Sequence, residues 1–356
     1  MSDKRQKMLQ VFRHERDDII PMAIELDPYA KKKYAEKMGG KSAGDFFDLW
    51  YRYVELDEAA AKQDFDYSKY YSTLTPGAYI DMWGTAKYEN EKEAVRHYYP
   101  MQSFTETAQI DDYAFPDFSR PECCKGLREQ VNLLHDRGLL AVGITTRVVF
   151  PICWHLRGMQ EFLMDLLLRP EFAEHLLDRV TECQLDIVRA HVSAGVDVLW
   201  VGGDVATQIT TMMSPDMWAR WIKPRLKYLF DEAKKMNPEM IFAFHCCGAV
   251  MPIVQHLVDV GLDILNPVQP ECIDLHKLKD VFGRSLTFWG GVSIQRTLPL
   301  GTPDEVRAEV RERTGLLGRG GGYVVCGAHH LTSDVPWDNV LALADEAKKY
   351  SLGDER

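Results

Sequence analysis

A single eight-stranded parallel barrel, a (β/α)8 TIM barrel, is the fold this sequence predicts, and three observations predict it. From about residue 139, short and almost wholly apolar runs alternate with longer amphipathic stretches, the rhythm of a parallel sheet covered by helices on both sides. No Gly-x-Gly-x-x-Gly follows the first strand, which argues against an open dinucleotide-binding sheet. The length, 356 residues, suits one such barrel, taken here as a single domain over residues 1–356.

The elements follow in order. Residues before 18 are expected to form an N-terminal helical extension, and residues 18–26 read as the first strand. Residues 64–71 are a poor candidate for the second. The stretch from about 70 to 121 is rich in Tyr, Pro and charge. It reads as an insertion over the C-terminal face of the barrel, in the manner of a substrate lid. Six further strands are placed at 139–144, 196–201, 240–244, 262–266, 285–289 and 323–325. Between them, residues 170–194 repeat apolar side chains at three- and four-residue steps: Phe172, Leu176, Leu177, Val180, Leu185 and Val188. Ser214-Pro215 opens a helix with an N-cap and a first-turn proline. Thr302-Pro303-Asp304-Glu305 does the same and adds a capping box. The glycine cluster 318–322 precedes a strand and is read as a tight turn, not a phosphate cradle.

In a parallel barrel, chemistry collects at the strand C-termini. Those ends carry Glu25 and Asp27, Thr145-Thr146-Arg147, Gly202-Gly203-Asp204, His245-Cys246-Cys247, Asn266 with Gln269, Gly290-Gly291 with Ser293 and Gln295, and Cys326 to His330. In extended chain, residues i and i+2 point to one side, so His245 and Cys247 converge while Cys246 turns away. An imidazole and a thiolate so placed suit zinc. Arg147, at a strand end among apolar neighbours, calls for an anionic partner, and Asp204 or Glu25 is expected to supply it. Asp204 either caps the next segment or orients a ligand. Gly202-Gly203 is read as a close backbone approach, residues 266–270 first of all as a turn, and His155 as a surface histidine in the loop before a helix.

Composition narrows the function. A net charge of -11 disfavours a nucleic-acid or anionic-membrane surface. No run approaches the roughly 18 apolar residues of a membrane span. The first residues lack an apolar signal core, so a cytoplasmic location is expected. The eight cysteines include no Cys-x-x-Cys, and without a secretory signal they are expected to be reduced, most of them packing residues.

Taken together, a series of motifs resembles the uroporphyrinogen decarboxylase superfamily, and within it the zinc-dependent, corrinoid-linked methyltransferases. The series is Asp81-Met-Trp-Gly84, Gly195-Val-Asp-Val-Leu-Trp-Val-Gly-Gly-Asp204, Phe244-His-Cys-Cys-Gly248, Gly261-Leu-Asp-Ile-Leu-Asn-Pro-Val-Gln-Pro270, Trp289-Gly-Gly-Val-Ser-Ile-Gln295, Leu298-Pro-Leu-Gly-Thr-Pro303 and Gly320-Gly-Gly-Tyr323. His329, Asp334-Val-Pro336 and Asn339 complete it. The resemblance covers most of the chain and is strongest from Val196 to Leu343.

Two departures matter. The decarboxylases carry arginines after the first strand that bind substrate carboxylates. Here that region is Pro21-Met-Ala-Ile-Glu-Leu-Asp-Pro-Tyr29, with acids and no arginine, which would repel a poly-anionic tetrapyrrole. The methyltransferases hold zinc with a His-x-Cys pair and a downstream cysteine. His245 and Cys247 match the pair. Counting back from Pro336, the third ligand falls on His329, with Cys326 its rival and His330 a third choice.

The resemblance implies an enzyme that moves a methyl group between a small methylated substrate and the cobalt of a corrinoid (cobalamin) carried on a partner protein. No Asp-x-His-x-x-Gly corrinoid signature is present, so the cobalamin is expected to arrive on that partner and dock at the barrel mouth. O-demethylation of a methyl ether or methoxy-aromatic donor is favoured. The aromatics Trp83, Tyr88, Tyr98, Tyr99, Phe104, Tyr113, Phe115 and Phe118 either line an apolar pocket or pack the insertion onto the barrel. Asp204, Arg147 and Glu25 are the candidate catalytic residues. Asn266, Gln269 and Trp83 are the candidate substrate contacts. The alternatives are a methylcobalamin:thiol methyltransferase, a decarboxylase-like lyase with Arg147 on a substrate carboxylate, and a non-catalytic relative. A homodimer is a candidate assembly.

Overall fold

The computed structural model describes residues 4–90 and 93–351, so the predicted domain limits 1 and 356 lie outside the described residues. Seven parallel strands form one curled sheet in the order β1, β5, β6, β7, β8, β9, β10. They are β1 (Tyr51–Val54), β5 (Leu140–Thr145), β6 (Val198–Gly202), β7 (Ile241–His245), β8 (Ile264–Asn266), β9 (Thr287–Val292) and β10 (Tyr323–Gly327). Between β1 and β5 lie β2 (Tyr79–Ile80), β3 (Ala86–Asn90) and β4 (Glu93–Tyr98), an antiparallel sheet inside the insertion.

The predicted first strand occupies the eighth staff position without becoming a full strand. Met22 and Leu26 make parallel bridges to Val325 and Leu331, and Val325 donates its N–H to the Pro21 carbonyl. Among the described residues no ladder joins this segment to β1. Side chains span that seam instead, with the phenols of Tyr51 and Tyr53 donating to Glu25. The second strand is β1, not residues 64–71, where a short 3-10 helix (Tyr67–Tyr70) forms. Asp66 caps that helix by accepting from the Ser68 N–H, chemistry that favours a turn over a ladder.

The long helix runs over Pro170–Ala194, and its predicted apolar stripe is buried throughout. Ser214 caps Pro215–Trp221, and Thr302 with Glu305 forms the predicted capping box on Pro303–Leu317. Residues 318–322 form the predicted turn into β10. The N-terminal helix Lys4–Phe12 closes the bottom of the barrel. Arg5 pairs with Asp197 just before β6, and the Phe12 carbonyl accepts from Thr287 at the start of β9. Inside, Trp289 meets Tyr51 and Trp200 nearly edge-on at 4.9 and 5.1 Å, so aromatic rings fill the barrel beneath its mouth.

His191, on the long helix, is fully buried against Gly143 of β5, with its ring nitrogens facing the Ile187 and Val54 carbonyls. Burial pushes its pKa down to about 4. An unfolded histidine takes a proton near pH 6.5, which the folded one refuses until about 4. Its contribution is therefore intact above pH 6.5 and lost as pH falls from 6.5 towards 4, by up to about 1.4 kcal/mol per pH unit. Urea midpoints at pH 7.5 and 5.0 should show this loss, and His191→Gln should flatten it. An unchanged slope in the variant would assign the acid sensitivity elsewhere.

Candidate metal centre

Register sets the site. In the ladder Gly202 pairs with His245, and His245 with Asn266, so three strand ends meet in one row at the barrel mouth. The backbones there approach closely. A Cβ on Gly202 would lie 2.1 Å from the Thr146 carbonyl oxygen, and one on Gly248 (φ +88°) would lie 2.2 Å from that of Thr207. Only glycine fits either place, and the predicted close approach at Gly202-Gly203 is what the fold uses.

His245, Cys247 and His329 converge, with one ligand atom from each lying within 4.8 Å of the others. The Cys247 Sγ stands 3.4 Å from the His245 Nε2. Zinc–nitrogen and zinc–sulfur bonds about 2.0–2.3 Å long, set tetrahedrally, place such a pair about 3.6 Å apart. The other His245 nitrogen, Nδ1, lies 2.5 Å from the Asn266 Oδ1, and the Asn266 amide donates to the Trp289 carbonyl at 3.0 Å. That chain fixes the imidazole so that Nε2 faces the cluster, the arrangement typical of a histidine ligand. Burial, then the neighbouring His245 and His330, hold His329 down at about 4, so it is a neutral donor at neutral pH. Burial, then the nearby Asp204, push the Cys247 thiol up to about 12. A soft cation would exchange for that proton. The donor set therefore fits zinc.

The other predicted site residues take definite places. Asp204 accepts from the Cys247 backbone N–H at 2.9 Å and faces the cavity at the mouth. Gln269, buried, accepts from the Gly248 N–H at 3.0 Å and so holds the loop after β7. Asn266, likewise buried, touches His245 and not the cavity. Both act on the loops that carry the cluster, which replaces the expected substrate contact. Cys246 is a packing residue, its sulfur accepting from the Val205 N–H. Cys326 is buried on β10 outside the cluster. Burial, then Glu25, push its thiol well up.

Three expectations are corrected. Arg147 pairs with neither Asp204 nor Glu25 but with Asp81 of the insertion, at 3.3 Å, beside a separate cavity of about 390 Å³. The Asp81 carboxylate also accepts from the Trp83 and Thr85 N–H groups, which places it where Arg147 can reach. His155 lies within a helix, stacked on Trp154 at 3.7 Å. Burial, then Arg147 and His97, lower its pKa to about 3. Trp83 is only 3% exposed and packs on Phe118, away from the mouth. Phe104, Tyr113 and Phe115 are buried with it inside the insertion, while Tyr98 and Tyr99 line the smaller cavity.

The cavity over the cluster, about 490 Å³, draws its aromatic walls from elsewhere: Tyr51, Tyr53 and Trp200, beside Glu25, Asp204, His245 and His329. Sequence reading passed over the two tyrosines. Their signal was the alternation in Tyr51-Arg-Tyr53-Val-Glu55, which marks a short strand showing every second side chain to one face.

A parallel α/β barrel with a cavity at its mouth and a histidine–cysteine–histidine cluster at its strand ends defines a barrel of enzyme type with a candidate site for a soft divalent metal. The chain belongs to the uroporphyrinogen decarboxylase (URO-D) family, whose profile matches residues 101–350. It is similar to the methylcobamide:CoM methyltransferase MtaA of Methanosarcina barkeri, 26% identical over 195 residues, 55% of this chain and 54% of that protein. It is also similar to the methylated-thiol–coenzyme M methyltransferase of Methanosarcina mazei, at 20% over 60% of this chain and 55% of that one. The uroporphyrinogen decarboxylase of Syntrophotalea carbinolica matches at 24% over 49% and 48%. The chain thus spans about half the length of these curated relatives. Its fold is similar to that of a methyltransferase from Methanosarcina mazei, with a TM-score of 0.69 and 18% identity over 98% of both chains. Among the described residues, no helix is long and apolar enough to cross a membrane.

Proposed function

We propose that this protein is a zinc-dependent methyltransferase that moves a methyl group between a small methylated substrate, in the favoured form a methyl ether, and the cobalt of a separate corrinoid protein. The observation that carries the reading is the His245–Cys247–His329 cluster at a cavity in the barrel mouth. Similarity to methyltransferases of methylated thiols and methylcobamides supports it. These three residues would hold the metal, with Cys326 a packing residue, and leave a fourth position for substrate. When bound, zinc supplies Lewis acidity, which makes an ether oxygen a better leaving group or a thiol a better nucleophile.

The chain's own residues do the rest. Asn266 holds the His245 ring in one orientation, and Asp204 pins the backbone N–H of Cys247, so two of the donors are set in place before substrate enters. The aromatic walls of Tyr51, Tyr53 and Trp200 offer apolar surface against which a bound methyl group would pack. Arg147, engaged by Asp81 beside another cavity, does not present its charge to this one, which disfavours the decarboxylase-like alternative.

The test is methyl transfer from a methoxyarene to cob(I)alamin, followed by the corrinoid absorbance change, with zinc-loaded and zinc-stripped protein. Transfer only with zinc supports the reading, and no transfer from ethers or thiols in either state removes it. Asn266→Ala frees the His245 ring and is expected to lower zinc affinity about 10–100-fold. Competition with a chromogenic chelator measures this, and an unchanged affinity would reduce Asn266 to packing.

A further inference from the structure

The wall of the cavity that carries Glu25 has a composition the proposed chemistry does not require. Glu25 Oε1 accepts from the Tyr53 hydroxyl at 2.5 Å and the Tyr51 hydroxyl at 3.2 Å. Burial, and then Glu25 itself, hold both phenols well above their usual pKa, so they remain protonated donors to it. Among the described residues, the rim residue His330 is the one basic group near the second oxygen, Oε2, with Nε2 at 4.0 Å, outside hydrogen-bond reach. The carboxylate is thus held by one oxygen and presents the other, with a side-chain exposure of only 11%. An acceptor left open towards a cavity is available to a donor on a bound molecule.

The charges around it have the same sense. Glu25, Glu55 and Asp204 all line the cavity. Arg52 lines it too, but its guanidinium is taken up by Asp45 at 2.6 Å and by the Leu49 and Tyr51 carbonyls. Lys31 stands at the exposed rim. An anionic tail on a substrate would therefore meet acidic side chains and, among the described residues, no free guanidinium lining the cavity.

We propose that Glu25 is the specificity-determining residue of this cavity, and that it selects methylated substrates that present an O–H or N–H donor carrying no negative charge. Its role is to orient and discriminate by hydrogen bonding to a substrate group other than the one that carries the methyl. This rests on the reading of the cavity as the methyl-donor site. It separates the chain from enzymes whose substrates carry a carboxylate or sulfonate.

Equilibrium binding to the purified full chain, by titration calorimetry without corrinoid, tests this with a matched series: 4-methoxyphenol, 4-methoxybenzylamine as its ammonium, methoxybenzene and 4-methoxybenzoate. The phenol, the ammonium or both should bind about tenfold or more tightly than methoxybenzene, the size of a hydrogen bond to a charged group. The benzoate should bind weakest, and the better of the first two tells whether a hydroxyl or an ammonium is the natural donor. Glu25→Gln should bring the series within about threefold and admit the benzoate. Tyr53→Phe, which leaves the carboxylate in place, should keep the rejection of the benzoate. Tight benzoate binding by the wild type, an unchanged order in Glu25→Gln, or no binding by any member overturns the proposal. The predicted order with no methyl transfer to cob(I)alamin would keep the Glu25 assignment and remove the transferase reading. Transfer with a reversed order would do the opposite.

Discussion

Alanine at His245, Cys247 or His329 is expected to abolish stoichiometric zinc binding, and serine at Cys326 is expected to leave it intact. Each of the three supplies one donor to a cluster closed within 4.8 Å, so a deletion leaves two protein ligands where a stable site uses three or four. The loss should exceed the about 10–100-fold penalty of removing an outer partner such as Asn266. Cys326 differs because its sulfur is buried on β10, outside the cluster. Elemental analysis after dialysis against a weak chelator reads all four variants at once. About one zinc per chain in the wild type and in Cys326→Ser, with none in the others, is the expected pattern. Zinc lost in Cys326→Ser and kept in His329→Ala would give the third position to sulfur.

Arg157→Ala is expected to cost up to about 3–5 kcal/mol of stability, the upper end being the penalty for breaking a buried ion pair when the remaining partner is left without compensation. Arg157 and Asp165 are buried and bonded at 2.7 Å, and the same guanidinium donates to the Met101 and Gln102 carbonyls at 2.6 and 2.7 Å. It thereby ties the end of the insertion to the helices that follow β5. After truncation Asp165 keeps Arg169, at 3.4 Å, the Gln102 carbonyl loses the guanidinium as donor, and the Met101 carbonyl keeps the Phe104 N–H. Urea unfolding measures the loss. A double variant, Arg157→Met with Asp165→Leu, removes the stranded charge and should recover part of it. A shift below about 1 kcal/mol for Arg157→Ala would mean that water replaces the guanidinium.

The barrel was legible from residue 139 onwards because its strands are buried on both faces. Runs such as Met240-Ile-Phe-Ala-Phe244 need no partner to be recognised. The first third was harder to read. β1 has four residues and carries Arg52 in its middle, and the first segment meets β10 by bridges, so neither has the periodicity of a longer strand. The insertion's aromatics suit either a pocket lining or packing onto the barrel, because apolarity alone does not say which surface a ring packs against. Within the insertion Tyr113 packs on Tyr67, Tyr70, Phe104 and Phe115.

By itself the sequence determined the fold class, the helix caps and the His245-x-Cys247 pair, because alternation, capping and i,i+2 geometry act over a few residues. Its family motifs also brought forward His329, more than eighty positions away. Only the tertiary structure decided that His329 and not Cys326 joins the pair, that Arg147 belongs to Asp81, and that Glu25 is held by Tyr51 and Tyr53. Those partners depend on where separate strand ends and loops meet once the sheet has curled, and chain-distant contacts of that kind leave no local pattern in the sequence.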